Sequence, residues 1–283
     1  LIYGLKDVGR EFGHRGQTTP AVRNLTLDIA PGEQVALLGP SGSGKTTLFR
    51  LLNGSIFPST GKLLYRGNDV AVMKQAQLRE MRRKIGSVYQ QHYLVSGMSV
   101  LGNTLSGALG RWGLGRSLIN LVHPSAIEVE QAEQCLEAVG LKEKRRFRCD
   151  QLSGGQQQRL AIARTLMQKP EVILADEPVA SLDPALSDEI LDLLAGLAEE
   201  GQLTLVISLH QVELAQRHAR RIVALRDGQI AFDLPAREVD KQALEDLYRS
   251  FRDRAPLPGA DASELRVGGC DGTGSSQKRS CIR

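Results

Sequence analysis

Apolar positions along the chain fall in short runs between glycine- and charge-rich breaks, and their spacing switches between two periods. Residues 25–29 alternate apolar and polar as a half-buried strand does, Pro31-Gly32 turns, and 34–38 is a continuous apolar run suited to a buried strand. Leu48, Leu51 and Leu52 then recur at helical spacing over 45–53, with Gly54 placed to end the helix. Strand, glycine-rich loop and helix make half of a βαβ unit. Up to about residue 87 the chain reads as strands and turns leading into that one helix. From about 89 to 148 the pattern becomes helix-like and is broken by glycine. There Val129, Ala132, Leu136 and Val139 share one face of a helix over 128–139 that ends at Gly140. The stretch 107–123 follows neither period.

Alternation resumes after Gln151. A helix over 159–167 precedes a buried strand over 172–175; a second helix carries Leu186, Ile190, Leu193, Leu194 and Leu197 on one face. A strand over 203–207 follows, then a hairpin of 222–225 and 229–232 about Asp227-Gly228. Strands alternating with helices predict an α/β fold with a mostly parallel sheet covered on both faces. The expected organisation is one domain over 1–250, with a core of about 1–88 and 159–250 and an inserted helical subdomain of about 89–158. Beyond 250 the composition dissolves into proline, glycine, serine and scattered charge, which predicts a disordered tail over 251–283.

Composition narrows the class. Of 283 residues 41% are apolar and 24% charged, enough core to exclude disorder throughout. Cys135, Cys149, Cys270 and Cys281 include no CxxC, which excludes a disulfide scaffold and points to a reducing compartment. No run approaches the ~18 consecutive apolar residues of a membrane span, so any membrane role is peripheral. The start does not read as a signal peptide, and the missing initiator methionine points to a trimmed N-terminus. A net charge of +4, from 36 basic and 32 acidic residues, is too mild for a nucleic-acid partner, and none is expected. No histidine and cysteine spacing fits zinc.

The candidate chemistry begins at Gly39-Pro40-Ser41-Gly42-Ser43-Gly44-Lys45-Thr46-Thr47, which satisfies GxxxxGK[ST] between a strand and a helix. Glycines let backbone N–H groups turn inward as an anion nest, and the helix N-terminus adds its positive end. Lys45 is placed to reach the β- and γ-phosphates of a nucleotide, and the Thr46 hydroxyl to hold Mg²⁺. Four apolar residues, 172–175, then deliver Asp176 and Glu177 to the carboxyl end of a strand, where ligands bind in open α/β sheets. Asp176 is expected to serve the Mg²⁺ shell and Glu177 to orient the attacking water. His210 follows the strand 203–207 and fits a sensor of the γ-phosphate, whereas His14, His92, His123 and His218 read as structural. A second anion cradle opens at Ser153-Gly154-Gly155-Gln156, with Ser153 as N-cap. One nucleotide cannot fill two separate cradles of one chain, so a head-to-tail homodimer with two composite sites is expected.

The phosphate loop, Gln90, LSGGQ at 152–156, LADEP at 174–178, Ser181-Leu182-Asp183 and His210 together resemble the nucleotide-binding subunits of ABC transporters, over roughly residues 1–251. The resemblance implies an ABC cassette of the P-loop NTPase fold, with an N-terminal antiparallel β part. It implies that Gln90 contacts Mg²⁺ and the attacking water and links core to helical subdomain. It also implies that Ser153, Gly154, Gly155 and Gln156 face the ATP of the opposite chain, and that Asp183 lies on a loop crossing the dimer interface. Phe12 or Tyr3, both ahead of the phosphate loop, would stack on adenine, Phe12 being preferred. VYQQHYLV at 88–95, DQLSGGQQQR at 150–159, LADEPVASLDP at 174–184 and ISLHQVEL at 207–214 are similar to the ATP-binding subunits of bacterial phosphonate importers. That implies an ATPase on the cytoplasmic face of the inner membrane, peripheral, partnered by two transmembrane permease subunits and an extracytoplasmic solute-binding protein. A transporter ATPase for another solute and a soluble, non-transport ABC ATPase remain as alternatives. The basic runs 79–84 and 142–148 read as solvated faces or as contacts to anionic lipid or nucleic acid.

Overall fold

The N-terminal hairpin, β1 (Tyr3–His14) and β2 (Gln17–Ile29), pairs antiparallel and absorbs the predicted strand 25–29 into a longer one. The computed structural model describes residues 1–14, 17–112, 117, 119, 123–240, 242–244 and 247. The predicted tail and much of the unplaced stretch 107–123 lie outside the described residues. β3 (Gln34–Leu38) is buried at every position, as a strand covered on both faces must be, and α1 (Lys45–Leu52) follows the glycine-rich loop. β4 (Thr60–Tyr65) and β5 (Asn68–Asp69) complete an antiparallel sheet in the order β2-β1-β4-β5. Tyr3 is fully buried in it, its hydroxyl donating to Leu52 O at 3.0 Å and its ring 5.5 Å from Tyr65.

A second helix, α2 (Gln75–Lys84), stands where only strands and turns were expected. Its apolar face consists of Leu78 and Met81 alone, too little to show a period among polar neighbours. It carries the first basic run, which is satisfied within the chain: Arg82 donates to Gly54 O at 2.6 Å, Arg83 pairs with Glu80 at 3.0 Å and Lys84 with Glu171 at 3.3 Å. The second run behaves likewise, with Lys142 on Glu137, Arg145 on Glu133 and Arg148 on Asp150. Each run thus has acidic partners of its own chain at several positions.

β6 (Ile85–Tyr89) leads to α3 (Val100–Ser106) and α4 (Ala126–Ala138), N-capped by Ser99 and Ser125. The face of α4 is shifted from the prediction: Glu128, Ala132 and Leu136 are buried and Val129 is only half-buried. Glu128 is kept inside because its carboxylate accepts the Trp112 indole N–H at 3.0 Å with Arg111 3.9 Å away. α5 (Gly154–Met167), β7 (Val172–Asp176), α6 (Pro184–Glu200) and β8 (Thr204–Ser208) alternate as predicted, and α7 (Val212–His218) adds a short helix before the hairpin where none was expected. On α6 the deepest residues are Ser187, Ile190, Leu191, Leu194 and Ala198, with Leu186, Leu193 and Leu197 half-buried at the edges of the stripe. β9 (Arg221–Arg226) and β10 (Gln229–Pro235) form the predicted hairpin, with Asp227 at φ 49 and Gly228 at φ 80.

The second sheet runs β10-β9-β3-β8-β7-β6, parallel throughout except for β10. Alternation sorts its side chains between two cores. Val35, Leu37, Val172, Leu174 and Val206 join α1 and the antiparallel sheet on one side; Ala36, Leu38, Ile173, Ala175, Leu205 and Ile207 join α5, α6 and α7 on the other. Across the seam between α5 and the chain after β6, Arg164 donates to Tyr93 O at 2.6 Å and to His92 O at 2.9 Å. Gly107, just past α3, lies so close that a Cβ there would fall on the Arg164 carbonyl.

Candidate nucleotide site

The parallel strands end together. In register, Leu37 lies beside Ser208, Ser208 beside Asp176 and Asp176 beside Tyr89, so the segments that follow emerge at one edge of the sheet. That edge gathers the loop 39–47, Gln90, Asp176, Glu177 and His210, as their order in the sequence predicts.

The loop is shaped by close approach. Gly39 has φ 151 and a Cβ there would fall on the Leu225 carbonyl, while Gly44, at φ 105, leaves 2.7 Å to the Ala21 carbonyl. Lys45 opens α1 and is only 5% exposed; its ammonium donates to Gly39 O at 2.7 Å and Pro40 O at 3.2 Å. Burial holds the Lys45 pKa below the ordinary lysine value, with Glu177 and Asp176 opposing the shift. The Ser43 hydroxyl is buried with no hydrogen-bond partner of its own. A buried cation beside an orphaned hydroxyl is a cradle that a phosphate completes. Pro40 and Thr47 are half-buried, Ser41, Gly42 and Thr46 exposed.

Thr46 shares an open cavity of about 260 Å³ with Tyr89, Gln90, Asp176 and Glu177. Burial pushes the Asp176 carboxyl above the usual range, opposed by the Ser208 hydroxyl, which donates to its Oδ1 at 2.7 Å. Glu177 sits at φ 51, and its Oε1 lies 2.5 Å from His210 Nε2. The Gln90 amide reaches Ser181 Oγ at 3.3 Å, and its backbone N–H donates to Asp176 O at 3.1 Å. Among the described residues no group of three His, Cys, Asp or Glu side chains could hold a metal unaided. One carboxylate with a hydroxyl suits instead a hard cation that arrives with phosphates and keeps waters.

The remaining residues form a second group at two helix starts. Ser153 and Gln156 cap α5 reciprocally, Gln156 N donating to Ser153 Oγ at 3.4 Å and Ser153 N to Gln156 Oε1 at 3.2 Å. A Cβ on Gly155 would run into Leu186, whereas one on Gly154 would meet nothing within 4 Å. Asp183 caps α6, accepting from Leu186 N at 3.0 Å. Phe12 lies on β1, 38% exposed, with the Arg10 guanidinium 5.0 Å from its ring centre. Tyr3, the other aromatic considered, is a core residue. His218 is buried against Asp188 at 2.8 Å and Asp192 at 3.0 Å, as a structural histidine. Ser208 has one signal in the sequence, a polar residue directly after the apolar run 205–207.

A glycine-shaped loop wrapped on a buried lysine, at the carboxyl edge of a parallel sheet, defines a phosphate-loop nucleoside triphosphatase. The chain belongs to the ABC transporter family, whose model matches residues 22–180, and it is an ATPase of that family. A protein of Pseudomonas savastanoi pv. phaseolicola called "Phosphonates import ATP-binding protein PhnC 1" is 47% identical over 256 residues, 90% of this chain and 95% of that protein. The "Phosphonates import ATP-binding protein PhnC" of Frankia casuarinae is 49% identical over 245 residues, 86% of this chain and 94% of that one. Among solved structures, the dimeric post-hydrolysis state of the ATP-binding cassette MJ0796, bound to ADP and Pi, matches with TM-score 0.70 at 32% identity, covering 84% of this chain and 100% of that one. The cbiO1 subunit from Clostridium perfringens, part of the transporter complex cbiONQ, matches with TM-score 0.74 at 26% identity, covering 89% and 95%. Among the described residues no helix is long and apolar enough to cross a membrane.

Proposed function

We propose that this chain powers a bacterial importer of phosphonate or a related phosphorus oxyanion, coupling MgATP binding and hydrolysis in a head-to-tail dimer to uptake. The observation that carries the mechanism is the convergence of Thr46, Gln90, Asp176 and Glu177 on one cavity beside Lys45. The substrate class rests on the relatives named above.

The loop N–H groups and Lys45 hold the β- and γ-phosphates, and Phe12 stacks on adenine. Thr46, Asp176 and Gln90 would hold Mg²⁺, which when bound offsets charge on the phosphates. Glu177 orients a water and draws off its proton as the water oxygen bonds to the γ-phosphorus and the bridging P–O bond breaks, releasing ADP. His210, touching Glu177, senses the γ-phosphate. Ser153, Gly154, Gly155, Gln156 and Asp183 serve the nucleotide of the opposite protomer, and the helical insertion, 89–158, carries motion from the Gln90 loop to two membrane permeases at the cytoplasmic face. An extracytoplasmic binding protein selects the solute.

Gly154 provides a direct check on the dimer. Among the described residues nothing requires a bare Cα there, so Gly154→Ala should shift Tm by less than about 2 °C, as an open surface site predicts. Turnover should fall by about 10-fold or more, because a methyl group intrudes where a backbone N–H approaches phosphate. Unchanged turnover would place no partner at this turn. The transport reading is tested by growth of a deletion strain on a simple phosphonate as sole phosphorus source, complemented with wild type or Glu177→Gln. Rescue by wild type alone, with all strains growing on phosphate, supports it. Equal growth of the uncomplemented deletion, in a strain lacking other phosphonate importers, rejects the substrate and turns the search to other solutes.

A further inference from the structure

Ser208 is the last residue of β8, directly beside Asp176 in the parallel register, and is fully buried. A hydroxyl has one proton to give and lone pairs to receive. Here the proton goes to Asp176 Oδ1 at 2.7 Å and a lone pair receives the Glu177 N–H at 3.0 Å. One atom thus touches two consecutive residues of the neighbouring strand end, one through its side chain and one through its backbone.

Both contacts act on geometry that would otherwise be loose. Glu177 has φ 51, a left-handed conformation that a side-chain-bearing residue keeps only when its surroundings hold it. The bond from its N–H to Ser208 is such a hold, and it sets the direction in which the carboxylate leaves the strand toward His210. The bond to Oδ1 fixes the rotation of the Asp176 carboxylate and leaves Oδ2 for the cavity shared with Thr46. Leu205, Val206 and Ile207 before it are all buried and apolar, so packing alone asks for a further apolar residue at 208.

We propose that Ser208 is a positioning residue for ATP hydrolysis, its single hydroxyl setting the orientation of the Asp176 carboxylate and the turn at Glu177 together. This rests on the assignment of those two carboxylates to the metal and the attacking water.

The test compares Ser208→Ala, Ser208→Thr and Ser208→Val in the full chain. Thr and Val have the same shape and differ in the hydroxyl, so crowding by the added carbon is common to both and cancels in their comparison. ATP affinity in EDTA should match wild type in all three, because the phosphate loop is untouched. For Ala and Val, kcat should fall about 10-fold with KM for ATP within about twofold, the size expected for losing a hydrogen bond to a charged group. Affinity for Mn²⁺ in the presence of a non-hydrolysable ATP analogue, read from the free-ion EPR signal, should weaken about fivefold in the same two variants. Ser208→Thr should restore both readouts to within about threefold of wild type. The proposal is overturned if Ala and Val keep wild-type kcat and Mn²⁺ affinity, or if Thr is no better than Val at equal Tm. Glu177→Gln measured alongside separates the two levels. If it keeps full turnover, the assignment of Glu177 falls and this proposal with it; if it is inactive while Ser208→Val is normal, only the role of Ser208 falls.

Discussion

Glu177→Gln should bind ATP normally and turn it over about 10²–10⁴ times more slowly, the range attributable to a positioned general base. Glutamine keeps the length of the side chain and its hydrogen bond to His210, and it removes the basic lone pair. The phosphate loop holds its shape through contacts of Gly39, Gly44 and Lys45 that do not include residue 177. Binding is therefore preserved while the chemical step is lost. With hydrolysis blocked, each ATP should go on bridging one phosphate loop to the opposing Ser153 turn, and the variant should elute as a dimer in gel filtration with MgATP. A monomer under those conditions would mean that the site is complete within one chain.

Gly107→Ala should produce the largest loss of stability. The Gly107 N–H closes a turn on Thr104 O at 3.0 Å, and its Cα faces the carbonyl of Arg164 in the last turn of α5. Residue 164 cannot retreat, because its carbonyl is part of a continuous helix that also packs on the main sheet. A methyl group must instead push α3 and α5 apart, at a cost of about 2–3 kcal/mol for overpacking against an unyielding wall. For a domain of this size that corresponds to a fall in Tm of about 4–12 °C. A shift below about 2 °C in a thermal melt would mean that the two helices are not in contact at this point.

The sequence was legible wherever one local pattern determined the outcome. β3 shows its burial as an unbroken apolar run, and the hairpin shows its turn as Asp227-Gly228, whose positive φ values match the residue types. The phosphate loop, the Asp176-Glu177 pair and the N-cap at Ser153 were equally readable, since each is fixed by a few adjacent residues. Patterns too short or too polar were not. α2 buries only Leu78 and Met81, and α3 and α7 are seven residues each, less than two full turns of period. Glu128 displaced Val129 from the buried face of α4 because Trp112, distant in sequence, offered it a donor. Ser208 acts on Asp176 across 32 positions of sequence, through a strand register that no local window contains. The burial of Tyr3 in the core likewise depends on packing that its neighbours in sequence do not show.

Arg164 turns one helix into a lever. Its guanidinium grips the carbonyls of His92 and Tyr93, and the same helix begins at the Ser153 turn, about 16 Å away at about 1.5 Å per residue. Each grip is a hydrogen bond to a charged donor worth about 1.5–3 kcal/mol net. Letting go of both costs at least about 3 kcal/mol, so fewer than about one molecule in a hundred has the loop and helix uncoupled at a given moment. A tilt imposed at the Ser153 end therefore reaches the loop behind Gln90 as displacement, with no slack taken up between them.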